Sequence, residues 1–363
     1  MPSRLNSLLE KLKAGSPGHC AQGPGSLDGF LVSSEANVSY LTGYQARDSY
    51  LLASKKEACF ITDFRYREEA EKNIQGLKVF QYKNLFRDIA GLTRKFKIRR
   101  LGFESRDLNF AEYARIKGYL GPRVKLIDTF NVIEALRQIK APQELKHIKE
   151  AIRITVLALK FLKKYLKPGM SELRVQGEIE RFIRYQGARA SAFSIIVASG
   201  PNSSFPHAVI SERKIRADEP LLIDLGVEVQ GYKSDLTRVF FLGKISSVQR
   251  KIYKIIQGAQ AQAIEAVKPG IQVSRLDFAA RSYIASAGYG KYFGHNLGHG
   301  VGLEVHEEPA ISAKNKSQLK EGMVFTIEPG IYLPGRFGLR LEDMVLVTKK
   351  GFEVLSGAID KSI

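Results

Sequence analysis

The stretch Pro220-Leu221-Leu222-Ile223-Asp224-Leu225-Gly226-Val227-Glu228-Val229-Gln230-Gly231-Tyr232-Lys233-Ser234-Asp235-Leu236-Thr237-Arg238-Val239-Phe240-Phe241-Leu242 decides how the second half of the chain is read. Its first eight residues form an apolar run interrupted by one acid, as in a buried strand, and Gln230-Gly231 marks a turn. Residues 232–242 then read as the antiparallel partner and carry Asp235. A turn centred between residues 229 and 230 sets Asp224 and Asp235 directly opposite each other. A turn one residue later leaves them diagonal on one face. Opposed like charges destabilise a sheet, and a buried carboxylate needs a counter-charge or a proton. A bound cation removes both difficulties. For the hairpin alone, two independently solvated aspartates are the better reading, because Asp is mostly an exposed residue.

Working outward, two further acids sit in strand contexts: Glu328 after Met323-Val324-Phe325-Thr326-Ile327, and Glu342 before Met344-Val345-Leu346-Val347. Side chains alternate along a strand, so Asp343 points away from Glu342 whereas Arg340 shares its face. Arg340 is thus a candidate to orient a metal-bound carboxylate. Of the six histidines, His207, His295, His299 and His306 lie among these polar motifs, and His19 and His147 do not. His299 is flanked by glycines in Gly298-His299-Gly300-Val301-Gly302, which permits close backbone approach. Asp224, Asp235, His299, Glu328 and Glu342 together offer four carboxylates and one imidazole, enough charge to balance two divalent cations. Oxygen-rich ligation favours Mn²⁺ and admits Co²⁺, Fe²⁺ or Zn²⁺; it does not resemble a thiolate-bound structural zinc site.

The rest of the chain frames this cluster. Its 363 residues suggest two domains. Residues 27–130 alternate short apolar runs, such as Asp28-Gly29-Phe30-Leu31-Val32-Ser33 and Tyr50-Leu51-Leu52-Ala53, with helical stretches, which reads as a small α/β domain. Helical spacing follows over 143–166, 172–187 and 247–267, interleaved with β-rich stretches. The boundary falls around residue 130. Residues 4–13 space their leucines as a short amphipathic helix, and residues 15–25, rich in Gly, Pro and Ser, read as a loop. Only Cys20 and Cys59 occur, so a disulfide framework is excluded. No apolar run is long enough to cross a bilayer, and a cytoplasmic protein is expected. The net charge of +19 is spread over scattered pairs such as Lys55-Lys56 and Arg99-Arg100. That implies a solvated basic surface and no specific nucleic-acid partner.

At the five ligand candidates the chain resembles the pita-bread metallopeptidases, in particular their proline-directed branch of prolidase and aminopeptidase P. The candidates lie in Asp-Leu-Gly, Ser-Asp-Leu-Thr-Arg, Gly-His-Gly, Glu-Pro-Gly and Arg-Leu-Glu-Asp, with successive separations of 11, 64, 29 and 14 residues. Asn37-Val38-Ser39-Tyr40-Leu41-Thr42-Gly43 is similar to the amino-terminal domain of that branch, which methionine aminopeptidases generally lack. Creatinase shares both domains without this ligand set. The fold implied is an α/β two-domain chain: a creatinase-like amino-terminal domain over residues 1–130, then a pita-bread α+β catalytic domain over 131–363.

The resemblance also implies roles. Asp235 and Glu342 bridge two metals, Asp224 serves one, and His299 with Glu328 serves the other. Glu328 handles the proton of the attacking water. His207 and His306 act as non-ligand histidines, and Phe193 lies near the proline pocket. Arg340 is ambiguous, either orienting a ligand or meeting the substrate carboxylate. The implied substrates are proline-containing peptides, cleaved at the Xaa-Pro bond, and the implied assembly is a homodimer. Two alternatives stand beside this: a strict prolidase limited to dipeptides, and a non-catalytic pita-bread binding module. Arg189, where relatives commonly carry an acid, and the apparent insertion at 15–25 depart from the family pattern.

Overall fold

The structure is a computed structural model that describes residues 3–14, 19–20 and 26–359. The chain divides into two compact units, Met1–Arg137 and Gln138–Ile363. In the first, a mixed seven-stranded sheet runs in the order His19–Cys20, Lys125–Phe130, Arg100–Glu104, Gly29–Val32, Tyr50–Ser54, Ala58–Thr62, Lys78–Gln81. The Gly-rich stretch 15–25 therefore contributes one short strand at His19–Cys20, and its other residues lie outside the described ones. The helix expected over residues 4–13 spans Ser3–Ala14.

A polar knot closes this unit. The Ser34 side chain caps the helix Glu35–Thr42 by accepting from the Asn37 N–H, and Gly43, at φ 71°, ends it. Glu104, at the end of its strand, accepts from the N–H groups of Ser33 (2.7 Å) and Ser34 (2.8 Å) and from Asn37 Nδ2 (2.5 Å). Asn37 Nδ2 also donates to Glu134 (2.7 Å), and Arg137 donates to Asn37 Oδ1 (2.8 Å). These last two bonds tie the short helix Glu134–Arg137 into the first unit. Asn37 opens the motif that carries the amino-terminal resemblance, so that motif's polar residue holds the unit's last helix in place.

In the second unit, the deciding stretch is a hairpin whose turn residues Gln230 (φ 51°) and Gly231 (φ 82°) are both left-handed, as a two-residue hairpin turn requires. Val229 pairs with Tyr232 and Asp224 with Thr237. The register is thus the later of the two weighed above, with Asp224 and Asp235 diagonal. The hairpin is not two continuous strands. Pro220–Leu225 with Leu236–Phe241, and Val227–Val229 with Tyr232–Lys233, belong to separate three-stranded sheets. The break falls at Gly226, where a Cβ would stand 1.9 Å from the Ser234 carbonyl oxygen. Ser234-Asp235 lies outside the ladder, which frees Asp235 from strand geometry.

A five-stranded antiparallel sheet (Glu307–Ile311, Gly298–Gly300, Val324–Ile327, Asp343–Val347, Phe352–Val354) and a two-stranded one (Gly330–Leu333, Phe337–Arg340) complete the unit. Helices Pro142–Tyr165, Glu172–Tyr185 and Ser247–Glu265 match the three expected. A fourth, Val273–Ser286, was not expected. Its buried positions Val273, Leu276, Ala280 and Ile284 are correctly spaced, but Arg275, Asp277 and Arg281 interrupt them and no side chain caps its start. Helices 142–165 and 172–185 share one apolar core with the hairpin, and helices 247–265 and 273–286 share another with the strands around Phe325 and Val345. Among the described residues no helix is long and apolar enough to cross a membrane.

Burial pushes Glu104 up to about 7 from its ordinary 4.5, despite the hydrogen bonds from Ser34, Ser33 and Asn37 that favour its anion. A raised carboxyl contributes stability that is complete below its unfolded value and is lost as pH rises through the folded one. Relative to Glu104→Gln, the wild type should therefore lose roughly 3 kcal/mol between pH 4.5 and about 7. Denaturant unfolding of both proteins across that interval measures the gap, and a gap that does not vary with pH contradicts the assignment.

Candidate metal centre

Strand ends and their breaks bring the sequence candidates together. Asp224 lies one residue before the end of strand Pro220–Leu225, and Asp235 immediately before Leu236–Phe241. His299 is the middle residue of Gly298–Gly300, Glu328 follows Val324–Ile327, and Glu342 sits between Phe337–Arg340 and Asp343–Val347. Gly298–Gly300 is the strand wedged between two neighbours. A Cβ at Gly298 would stand 2.0 Å from the Thr326 carbonyl oxygen, and one at Gly300 would stand 2.3 Å from that of Glu308. Only glycines admit this packing, which fixes the backbone of His299 from both sides.

One donor atom each from Asp235, His299 and Glu342 lies within 4.8 Å of the others. His299 Nε2 is 3.3 Å from Glu328 Oε1 and 3.6 Å from Asp235 Oδ2. Asp224 joins through Arg340, whose Nη2 donates to Asp224 Oδ2 at 2.6 Å. Arg340 Nε donates to the Thr237 hydroxyl (3.0 Å), and that hydroxyl donates to Glu342 Oε2 (2.6 Å). Thr237 is the cross-strand partner of Asp224, so a single hydroxyl links the hairpin to the Glu342 side. Arg340 Nη1 donates to Tyr332 Oη (2.9 Å) and the Pro206 carbonyl (3.2 Å). Asp343 points the other way, to Arg238 at 2.7 Å and Ser356, as strand alternation requires.

The electrostatics are those of anions packed without enough cations. Burial, then the charges of Glu342, Asp224 and Glu328, hold Asp235 well above its ordinary value. Burial and the charges of Glu328 and Asp224 do the same to Glu342. Asp224 is raised by burial against the opposing pull of Arg340. For His299 burial acts downward, but the hydrogen bond and charge of Glu328 prevail and raise it; Glu328 is correspondingly lowered by His299 against its own burial. Asp224 Oδ1 is buried with no hydrogen-bond partner among the described residues. An orphaned buried carboxylate oxygen, crowded acids and an oxygen-rich donor set all fit divalent cations.

His306 precedes the strand Glu307–Ile311, its ring 4.3 Å from that of His299. Burial and then the charge of His299 lower its pKa, and His207 acts in the same sense, so His207 stands within electrostatic reach. Phe193 packs at the hairpin's break: a Cβ on Gly226 would lie 2.8 Å from Phe193 Cε1. Arg189 is not aimed at the cluster but pairs with Glu228 at 3.0 Å. Sequence reasoning missed Thr237 and Tyr332 and left His295 without a role. His295 Nε2 lies 3.1 Å from Tyr332 Oη. Its place four residues before His299 was the available signal; nothing in the sequence pairs Thr237 with Arg340.

The model of metallopeptidase family M24 matches residues 146–349, and that of the creatinase/prolidase N-terminal domain matches residues 21–139. An uncharacterized peptidase of Bacillus subtilis is 39% identical over 326 residues, 90% of this chain and 92% of that protein. Among solved structures, an Xaa-Pro dipeptidase from Bacillus anthracis superposes with a TM-score of 0.90 at 37% identity, covering 99% of this chain and 97% of that one. An X-Pro aminopeptidase from Thermotoga maritima superposes with a TM-score of 0.86 at 34% identity, covering 93% and 97%. The architecture is therefore a creatinase-type amino-terminal domain followed by a pita-bread domain, as expected.

Asp235 and Glu342, being raised, give the metal-stripped protein stability that is complete below ordinary carboxylate values and is lost as pH rises through their folded values. Glu328, being lowered, acts in the opposite sense. A bound cation replaces the missing protons. Chelation should therefore lower Tm more above neutrality than at about pH 5, measured by thermal melts with and without chelator. A chelator effect that is equal at both pH values contradicts the crowding.

Proposed function

The chain belongs to metallopeptidase family M24, and from that membership we propose that it hydrolyses the Xaa-Pro bond at the amino terminus of peptides and in Xaa-Pro dipeptides. The observation that carries the reading is the convergence of Asp224, Asp235, His299, Glu328 and Glu342 on one buried site with His306 beside it. The relatives' names, dipeptidase and aminopeptidase alike, supply the substrate class. In this reading Asp224, Asp235, His299, Glu328 and Glu342 would hold two divalent cations, Mn²⁺ favoured over Co²⁺, Fe²⁺ or Zn²⁺, with Asp235 and Glu342 serving both, Asp224 one, and His299 with Glu328 the other. Cations held there would supply Lewis acidity toward the scissile carbonyl and a water molecule.

The chain's own residues do the rest. Glu328, kept anionic beside His299, accepts the proton of the attacking water at a carboxylate oxygen and passes it to the departing proline nitrogen, a secondary amine that must leave protonated. His306, with its lowered pKa, is neutral at pH 7 and donates a ring N–H toward the carbonyl oxygen as negative charge builds. His207 is assigned to the same side. Phe193 offers an apolar wall for the proline ring. Arg340 holds Asp224; four of its five N–H donors bond Asp224, Thr237, Tyr332 and the Pro206 carbonyl, which favours that role over contact with a substrate carboxylate. An Arg340 engaged in this way supports cleavage of longer peptides as well as dipeptides. A homodimer and a cytoplasmic setting complete the proposal, the latter in keeping with Cys59 as a buried free thiol.

Two experiments test the reading. Asp235→Ala and Glu342→Ala should each abolish metal-dependent hydrolysis, and undiminished turnover at saturating metal rejects them as shared ligands. The second compares kcat/KM for a matched Xaa-Pro dipeptide, its C-terminal amide and an Xaa-Pro-Yaa tripeptide. The three should agree within about tenfold, or about 1.4 kcal/mol of transition-state binding. Exclusive cleavage of the free dipeptide establishes a strict prolidase, and preference for alanine over proline after the scissile bond removes the Xaa-Pro assignment altogether.

A further inference from the structure

The helix Val273–Ser286 carries an ion pair that the reaction above does not use. Asp277 and Arg281 stand one turn apart, and Arg281 Nε and Nη2 donate to the two Asp277 oxygens, each at 2.8 Å. The Asp277 side chain is 1% exposed. The same guanidinium reaches further. Its Nη1 donates to the Phe293 carbonyl and its Nη2 to the His295 carbonyl, both at 2.9 Å. It also lies over the Phe293 ring, 4.3 Å from the centroid, and that ring meets the His295 ring edge-on at 5.0 Å.

An exposed pair at this spacing contributes only a few tenths of a kcal/mol to a helix, so helix stability alone accounts poorly for a buried aspartate here. A planar fork whose donors are spread over a carboxylate and two carbonyls is instead a positioning device. The two carbonyls belong to the segment that runs through His295 into Gly298-His299. From His295 the contacts continue through Tyr332 Oη (3.1 Å) and Arg340 Nη1 (2.9 Å) to Asp224 (2.6 Å). Arg281 is therefore joined by unbroken contacts to one proposed ligand, and by three intervening residues of chain to another.

We propose that Arg281, oriented by Asp277, is a positioning residue that sets the 293–299 segment, and through it His299 and the His295–Tyr332–Arg340–Asp224 chain. Its kinetic readout rests on the Xaa-Pro hydrolase reading; its metal-affinity readout does not. A role confined to fastening the helix lowers Tm and leaves kcat and metal affinity alone.

The test uses the metal-loaded full chain with Arg281→Ala, Arg281→Lys and, as a control, Phe278→Ala, which lines the same surface cavity as Arg281 without bonding the segment. Arg281→Ala should lower kcat by about tenfold to a hundredfold and weaken Mn²⁺ retention against a chelator by a similar factor. KM should stay within about threefold of wild type. Arg281→Lys, which keeps the charge but cannot span Asp277 and both carbonyls, should fall between, and it carries the test if the alanine variant does not fold. Because the Arg281 side chain is 35% exposed, added methylguanidinium should restore activity to the alanine variant. Phe278→Ala should behave as wild type. Wild-type kcat and Mn²⁺ affinity in a folded Arg281→Lys, or a fall in Tm with kcat unchanged, overturns the proposal. A wild type that leaves Xaa-Pro peptides intact fails the functional reading instead, and Mn²⁺ retention by the variants still decides this one.

Discussion

Four carboxylates share one buried site with the Arg340 guanidinium and the His299 imidazole among them, and the second unit is arranged around the cost of keeping them there. Ionised acids at this separation and burial repel one another strongly, because the interior screens poorly. The molecule answers in two ways. Arg340 neutralises Asp224 directly, and its bond to Thr237 extends that support to Glu342. For Asp235, Glu342 and the orphaned Asp224 Oδ1, protons or cations must supply the remainder.

The backbone irregularities follow from the same constraint. A regular hairpin would hold Asp224 and Asp235 at fixed ladder positions. The break at Gly226 and the interruption of the strand at Ser234-Asp235 instead let Asp235 turn toward His299 and Glu342. Glu328 likewise sits just beyond the end of its strand, and Glu342 at the junction of two strands. The glycines around His299 let three strands approach closely enough to hold one imidazole against two acids. Strands thus supply rigidity, and their interruptions supply direction.

Much of this was legible in the sequence, for identifiable reasons. Acids inside apolar runs are costly, so Asp224, Glu328 and Glu342 announce themselves, and the period of two correctly separates Asp343 from Arg340. The turn at Gln230-Gly231 is legible, but the sequence admits two registers, and the left-handed pair at 230 and 231 decides between them. What was not legible depends on contacts distant in sequence. Thr237 is an unremarkable strand threonine until Arg340 and Glu342 are seen against it. The helix 273–286 is hidden because the buried Asp277 and its partner Arg281 break the apolar stripe, and that pair is what gives the helix a part in the site.

The central claim is that cations complete the carboxylate cluster and that hydrolysis depends on them. Metal content per chain, measured by elemental analysis on protein loaded with Mn²⁺ and freed of excess, tests it most directly when Xaa-Pro hydrolysis is followed on the same sample before and after chelation. The account expects about two ions per chain, loss of activity as they are removed, and recovery on their return. Hydrolysis at an undiminished rate by a chain stripped to trace metal would contradict it.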